Sequence, residues 1–165
     1  MMNKSYLRSF QLGFIAGMRA MSAPALLSHR LSHTIPTQHP KTLLHYLAQP
    51  TTAKVFKALA GGEIIGDKLP NTPNRTTPPQ FISRVAIGSA CGAVVSEAEG
   101  QKMPIGAVLG GLGAVAGTLL FFNLRRWLDH DLGLPDAVGA VTEDALVAGL
   151  GWAIVSDIKP TTRLA

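Results

Sequence analysis

Apolar residues along this chain gather into long runs separated by polar stretches, and one of these, Met103 to Leu124, contains no charged side chain. At about 1.5 Å rise per residue it reaches roughly 33 Å as a helix, enough to cross a hydrocarbon core of about 30 Å. Four further runs have similar character: Tyr6 to Leu27, Ala53 to Leu69, Gln80 to Val95 and Leu134 to Val155. The first and last are long enough to span despite Arg19 in one and Glu143 with Asp144 in the other. The second and third are shorter and carry Lys54, Lys57, Glu63, Asp67 and Lys68, then Arg84, which suits short, tilted or partly re-entrant helices shielded by neighbours. Pro70, Pro73, Pro78 and Pro79 end the second and delay the third, and Gly133 with Pro135 separates the fourth from the fifth. The pattern predicts an all-α, polytopic transmembrane bundle of about five spans, forming a single integral membrane domain over residues 1–165.

Small residues recur inside these runs at helix-packing intervals. Gly13/Gly17, Gly62/Gly66, Gly88/Gly92, Gly106/Gly110 and Gly113/Gly117 are each four apart, placing bare backbone on one helix face where a second helix can approach closely. Leu12-Gly13-Phe14-Ile15-Ala16-Gly17 in the first run matches Leu112-Gly113-Ala114-Val115-Ala116-Gly117 in the fourth, and the run following each carries an interior glutamate, Glu63 or Glu143. With five spans the first and fourth run in opposite senses, the pattern an inverted-topology repeat leaves.

Composition agrees with a membrane class. Hydrophobic residues make up 47% and charged residues 15%, against roughly 25% charged in an average soluble domain. The mean hydropathy is only +0.23 because Pro-, Thr- and His-rich stretches at 32–52 and 70–80, read as extramembrane loops, dilute the apolar runs. The net charge of +5 comes from lysines and arginines scattered singly or in pairs, with no basic stripe interleaved with aromatics, so anionic headgroups explain it better than nucleic acid. Lys4 and Arg8 before an apolar run mimic a signal peptide, but the run continues past Arg19, which reads as a retained first helix. Sorting loop charges by five spans puts Lys4, Arg8, Lys68, Arg75, Arg84, Arg125 and Arg126 on one side. Arg30, Lys41, Lys54, Lys57, Lys102, Lys159 and Arg163 fall on the other, a tie that fixes no orientation.

Charge inside the apolar runs is the candidate chemistry. Arg19, Glu63, Asp67, Lys68, Arg84, Glu143 and Asp144 lie close to or within membrane depth, where an isolated charge costs at least about 2.5 to 3.5 kcal/mol, so they should face one another or a wet cavity. Glu63 and Asp67 share a helix face and suggest an ion-pair cluster with Arg19 or Arg84. Glu143 and Asp144 are adjacent and leave a helix about 100° apart, so they point in different directions. His29 and His33 are four apart, but at a helix end this spacing alone carries no metal site, and the chain has no His-Glu-x-x-His, nucleophile elbow or phosphate-binding loop. Cys91, the only cysteine, reads as a packing residue, and Trp127, Tyr6 and Trp152 read as interfacial anchors. No cofactor is expected.

Gly62-Glu63-Ile64-Ile65-Gly66-Asp67-Lys68-Leu69-Pro70, with Gly17-x-Arg19, Pro24-Ala25, Gly133-Leu134-Pro135-Asp136 and Glu143-Asp144, resembles an uncharacterised bacterial membrane-protein family, domain of unknown function 4126. The resemblance covers nearly the whole chain and implies a multipass helical protein of the cytoplasmic (inner) membrane, without supplying an activity. The leading expectation is a small ion- or proton-linked transporter or channel, with Glu63 and Glu143 as paired ion-binding groups. A non-enzymatic membrane scaffold, its charges and glycines fixing helix packing, is the alternative. An enzyme acting on lipid phosphate through Arg19 and Arg84 is a third. Membrane lipid is the expected partner, and glycine-lined faces favour a homo-oligomer.

Overall fold

The structure, a computed structural model, describes residues 3–35, 42–66, 78–131 and 136–161. Among the described residues it is all-α, with α1 Lys4–Met18, α2 Ser22–Thr34, α3 Leu43–Leu47, α4 Pro50–Gly66, α5 Pro78–Ala98, α6 Met103–Asp131 and α7 Asp136–Ser156. Helix boundaries follow local chemistry. The Asn3 side chain accepts the Ser5 N–H at 3.3 Å to cap α1, and proline opens α4 and α5, where its missing N–H costs nothing. Gly100, at φ 68°, ends α5 in a Schellman turn: Gly100 N–H donates to Glu97 O at 3.0 Å and Gln101 N–H to Ser96 O at 2.7 Å.

The run from Tyr6 to Leu27 is not one helix. It breaks at Arg19, whose backbone is extended, and restarts at Ser22. The pairings across the bundle show that the chain also reverses there. On α7, Asp144 meets Arg19 and Leu150 lines a surface groove together with Phe14, while Asp157 just beyond the helix meets Arg8, so α1 and α7 are antiparallel. Leu26 lies against Gly151, and Arg30 reaches the Ser156 carbonyl at 3.3 Å, so α2 and α7 are parallel. α1 and α2 therefore form a helical hairpin with its tip at Arg19–Met21. With 15 and 13 residues, its arms are about 22 and 20 Å long, each too short to cross alone.

The α1 arm of the hairpin packs with α5 and α6 in a core held by glycine. A Cβ on Gly13 would fall on the Gly110 carbonyl, one on Gly17 on the Ala114 carbonyl, and ones on Gly113 and Gly117 on the carbonyls of Phe10 and Phe14. Gly88 and Gly92 of α5 meet Gly110 and Gly106 of α6 as closely. The paired positions rise together on α1 and α6, so these helices are parallel. This departs from the antiparallel relation that an inverted repeat of the two matching hexapeptides requires; the shared glycine pattern reflects a mutual contact. Ser9 bridges α1 to α5, its Oγ lying 3.0 Å from the Gly92 carbonyl and 3.1 Å from Ser96 Oγ.

Among the described residues two helices are long and apolar enough to cross a membrane, Pro78–Ala98 and the Met103–Leu124 part of α6. That is fewer than the five spans the hydropathy pattern predicts, because the first divides and charge interrupts others. α4 is peripheral: Ala53 is its one buried residue, and it runs antiparallel to α2, with Lys57 beside His29 and Glu63 beside Met21.

Candidate functional site

Breaking a helix in the middle of a bundle exposes backbone groups that a continuous helix would pair internally. The last carbonyls of α1 and the first N–H groups of α2 are left open, carrying the negative and positive ends of the two helix dipoles. The sequence supplies one charge for each. Arg84, 2% exposed on α5, donates through Nη1 to the carbonyls of Gly17 at 2.8 Å and Met18 at 2.7 Å. Glu63, from α4, accepts the Ala20 N–H on Oε1 at 2.9 Å and the Met21 N–H on Oε2 at 2.8 Å. The two side chains face each other, with Arg84 Nη2 3.5 Å from Glu63 Oε1. Thr118 of α6 adds a hydroxyl donated to Gly17 O at 3.1 Å.

A cavity of about 320 Å³ opens directly on this arrangement, lined by Ala20, Met21, Glu63, Pro79, Gln80, Ser83 and Arg84. A buried guanidinium, two adjacent backbone N–H groups, a carboxylate, a hydroxyl and an amide thus converge on one space large enough for a small solute.

Two ion pairs join members of the expected cluster. Glu63 joins Arg84, whereas Arg19, 1% exposed, turns to α7 and pairs with Asp144. Glu143 is 4% exposed within the bundle and is not among the residues that line the cavity. Asp67 and Lys68 lie outside the described residues. Of the glycines expected to pack helices, Gly13, Gly17, Gly88, Gly92, Gly106, Gly110, Gly113 and Gly117 do so; Gly62 and Gly66 do not, since a Cβ on either meets nothing within 4 Å. α4 lies on the outside, and among the described residues no helix covers that face.

Sequence reasoning did not foresee the backbone partners at Ala20 and Met21, because a helix break has no side-chain signature beyond Gly17-x-Arg19. It also missed a second ionic knot where α1 begins and α5 and α7 end. There Arg8 Nη1 pairs with Glu99 Oε1 at 2.6 Å, and Arg8 also bonds Asp157 through Nη2 and through Nε at 3.1 Å. The Arg8 hydrogen bond and charge hold the Asp157 carboxyl below the usual carboxylate range. His29 and His33 stack edge-to-face at 4.5 Å, with His29 also 3.0 Å from Lys57 Nζ and facing Trp152. Among the described residues no group of three or more His, Cys, Asp and Glu side chains could hold a metal ion.

No protein-family model, no curated protein and no solved structure matches the chain.

Proposed function

We propose that this chain is an integral membrane protein that moves a small charged solute or ion, and that the Arg19–Met21 tip with Glu63 and Arg84 is where the solute binds. The observation that carries this reading is a helix broken inside the bundle, its two open ends closed by opposite charges at a cavity. Discontinuous helices that place half-helix ends and charged groups around a cavity inside the membrane are a recurring way of building a solute site there. The bundle surface supports membrane embedding: Ile82, Val108 and Val141 are about 60% exposed or more, an apolar skin that lipid would cover. Taking Met103–Leu124 as the apolar band, Thr118 puts the tip about 9 Å inside one boundary and about 22 Å from the other. The hairpin is then re-entrant.

Ion and proton flux into proteoliposomes under an imposed potential tests this. Wild-type protein should conduct or exchange, and Glu63→Gln, inserted equally well, should lose most of the flux; tight wild-type vesicles across a broad ion and solute panel would refute transport. A scaffold is the second reading, favoured by the use of both Glu63 and Arg84 as backbone caps. It predicts that Glu63→Asp lowers stability with no transport phenotype.

A further inference from the structure

We propose that the groove between α1 and α7 binds an anionic glycerophospholipid, with one acyl chain lying in the groove and the phosphate held at its mouth by Lys4 and Lys159. The inference rests on the membrane embedding proposed above and not on transport. The groove encloses about 580 Å³ and runs along two antiparallel helices, lined by Phe10 and Phe14 from α1 and by Leu150, Ala153 and Ile154 from α7. Its size is that of a ligand site, and its apolar walls suit a hydrocarbon chain.

Polarity changes along the groove in the order in which a phospholipid presents it. Arg8 and Asp157 close one end, beside Glu99 at the end of α5 and so near the Met103 edge of the apolar band. The Asp157 carboxyl is held low first by its Arg8 hydrogen bond, and Lys159 and Lys4 add to this, which puts both ammonium groups beside the mouth. Both lysines are exposed, and among the described residues neither forms a salt bridge. Arg8 is shared between Glu99 and Asp157, so three cations face two carboxylates there and the lysines are the surplus available to a phosphate. Gln11 lies one turn, about 4.5 Å, deeper than Arg8. Its amide is half-buried and makes no hydrogen bond among the described residues, an unfavourable state in an apolar wall that an ester carbonyl at this depth would relieve. Phe14 and Leu150 lie a further turn in, where the lining is apolar. This order of cation, amide and apolar wall favours a lipid over a second copy of the chain, whose apolar helix would leave Gln11 unbonded. It also favours a lipid over a soluble anion, which would use the mouth alone.

The test reads lipid binding. Delipidated full-length protein in a neutral detergent is unfolded thermally with dioleoyl phosphatidylglycerol, with dioleoyl phosphatidylcholine at the same mole fraction, and with glycerol phosphate. Phosphatidylglycerol should raise Tm saturably by roughly 3 °C or more and phosphatidylcholine by less than half as much, while glycerol phosphate, having no chain, should leave it unchanged. Lys4→Gln combined with Lys159→Gln should reduce the phosphatidylglycerol shift to the phosphatidylcholine one, and Ala153→Phe, which fills the groove and leaves the mouth intact, should abolish both. If Ala153→Phe does not fold, wild type still answers: phosphatidylglycerol carrying a diazirine in its acyl chain should, on illumination, label Phe10, Phe14, Leu150 or Ile154 ahead of the more exposed Val108 and Val141. Equal shifts with the two lipids, or labelling that follows exposure, would overturn the proposal. So would an equal shift with glycerol phosphate, or cross-links that join two copies of the chain through the groove. A phosphatidylglycerol-specific shift in protein that carries no flux would support this site while removing transport.

Discussion

Arg19 and Asp144 show what a charge costs when it is taken out of water with a partner. The Arg19 side chain is 1% exposed and that of Asp144 20% exposed, and each is tolerated because the other is there. Replacing Arg19 by Met should therefore lower stability by about 3 to 5 kcal/mol, since Asp144 is left unpaired, whereas Arg19→Met with Asp144→Leu should recover most of the loss. Chemical or thermal unfolding of the two single variants and the double completes the cycle; additive losses would mean that the pair is not coupled. The solvent-facing pair behaves differently. Because Asp157 titrates below the ordinary carboxylate value of about 3.9, its contribution is complete above that value and is lost as pH falls through the lowered one. The Tm difference between wild type and Asp157→Asn should thus be constant from neutral pH to about pH 5 and close in stronger acid. A difference that grows on acidification would contradict the Arg8 pairing. That Arg19, Glu63, Arg84 and Asp144 would be paired was legible in the sequence, from the cost of burying charge. Who pairs with whom was not, because Arg19 and Arg84 are both arginines on apolar segments and only the reversal of α1 into α2 separates them.

At the scale of helices, the same residue type does opposite things on different elements. A methyl group on Gly13 has nowhere to go but the Gly110 backbone, which belongs to another helix and cannot rotate away, while one on Gly62 enters open space. Gly13→Ala should destabilise the α1–α6 contact by about 1 to 3 kcal/mol or more. Gly62→Ala should be neutral or stabilising by up to about 1 kcal/mol, because alanine favours the helix and nothing obstructs it. Unfolding in detergent checks both, and equal effects would mean that the glycine contact does not hold these helices. The α5 and α6 segments were readable because apolarity and glycine spacing agree, although α5 is two to three residues longer at each end and α6 runs seven residues past Leu124 to Asp131, where charged side chains end the apolar run but not the helix. The α1–α2 break was not, since a run apolar on both sides of Arg19 has the hydropathy of one long helix. The six-residue likeness of α1 and α6 was visible as well; their parallel direction depends on that same break.

For the whole molecule, if the chain spans a membrane as proposed, the hairpin changes how it sits there. With α1 and α2 returning to the end where they began, the N-terminus joins the bundle end that holds the α5–α6 turn and the residues after α7, through Arg8, Glu99 and Asp157. Lys4 and Arg8 then change sides, and the even division of basic loop residues tips toward the end that holds both. On the proposed membrane reading, the preference of basic loops for the cytoplasm would turn that end inward and the exposed Trp127 near the end of α6 outward. The measurement that tests this most directly is labelling by a membrane-impermeant maleimide in intact and permeabilised cells, with cysteines placed singly at Asn3, Thr34 and Trp127 in a Cys91→Ala background. The re-entrant hairpin predicts that Asn3→Cys and Thr34→Cys are both protected until the cells are permeabilised while Trp127→Cys labels from outside. Labelling of Asn3→Cys and Thr34→Cys from opposite sides would show a first helix that crosses the membrane, and would remove the hairpin tip and the site built on it.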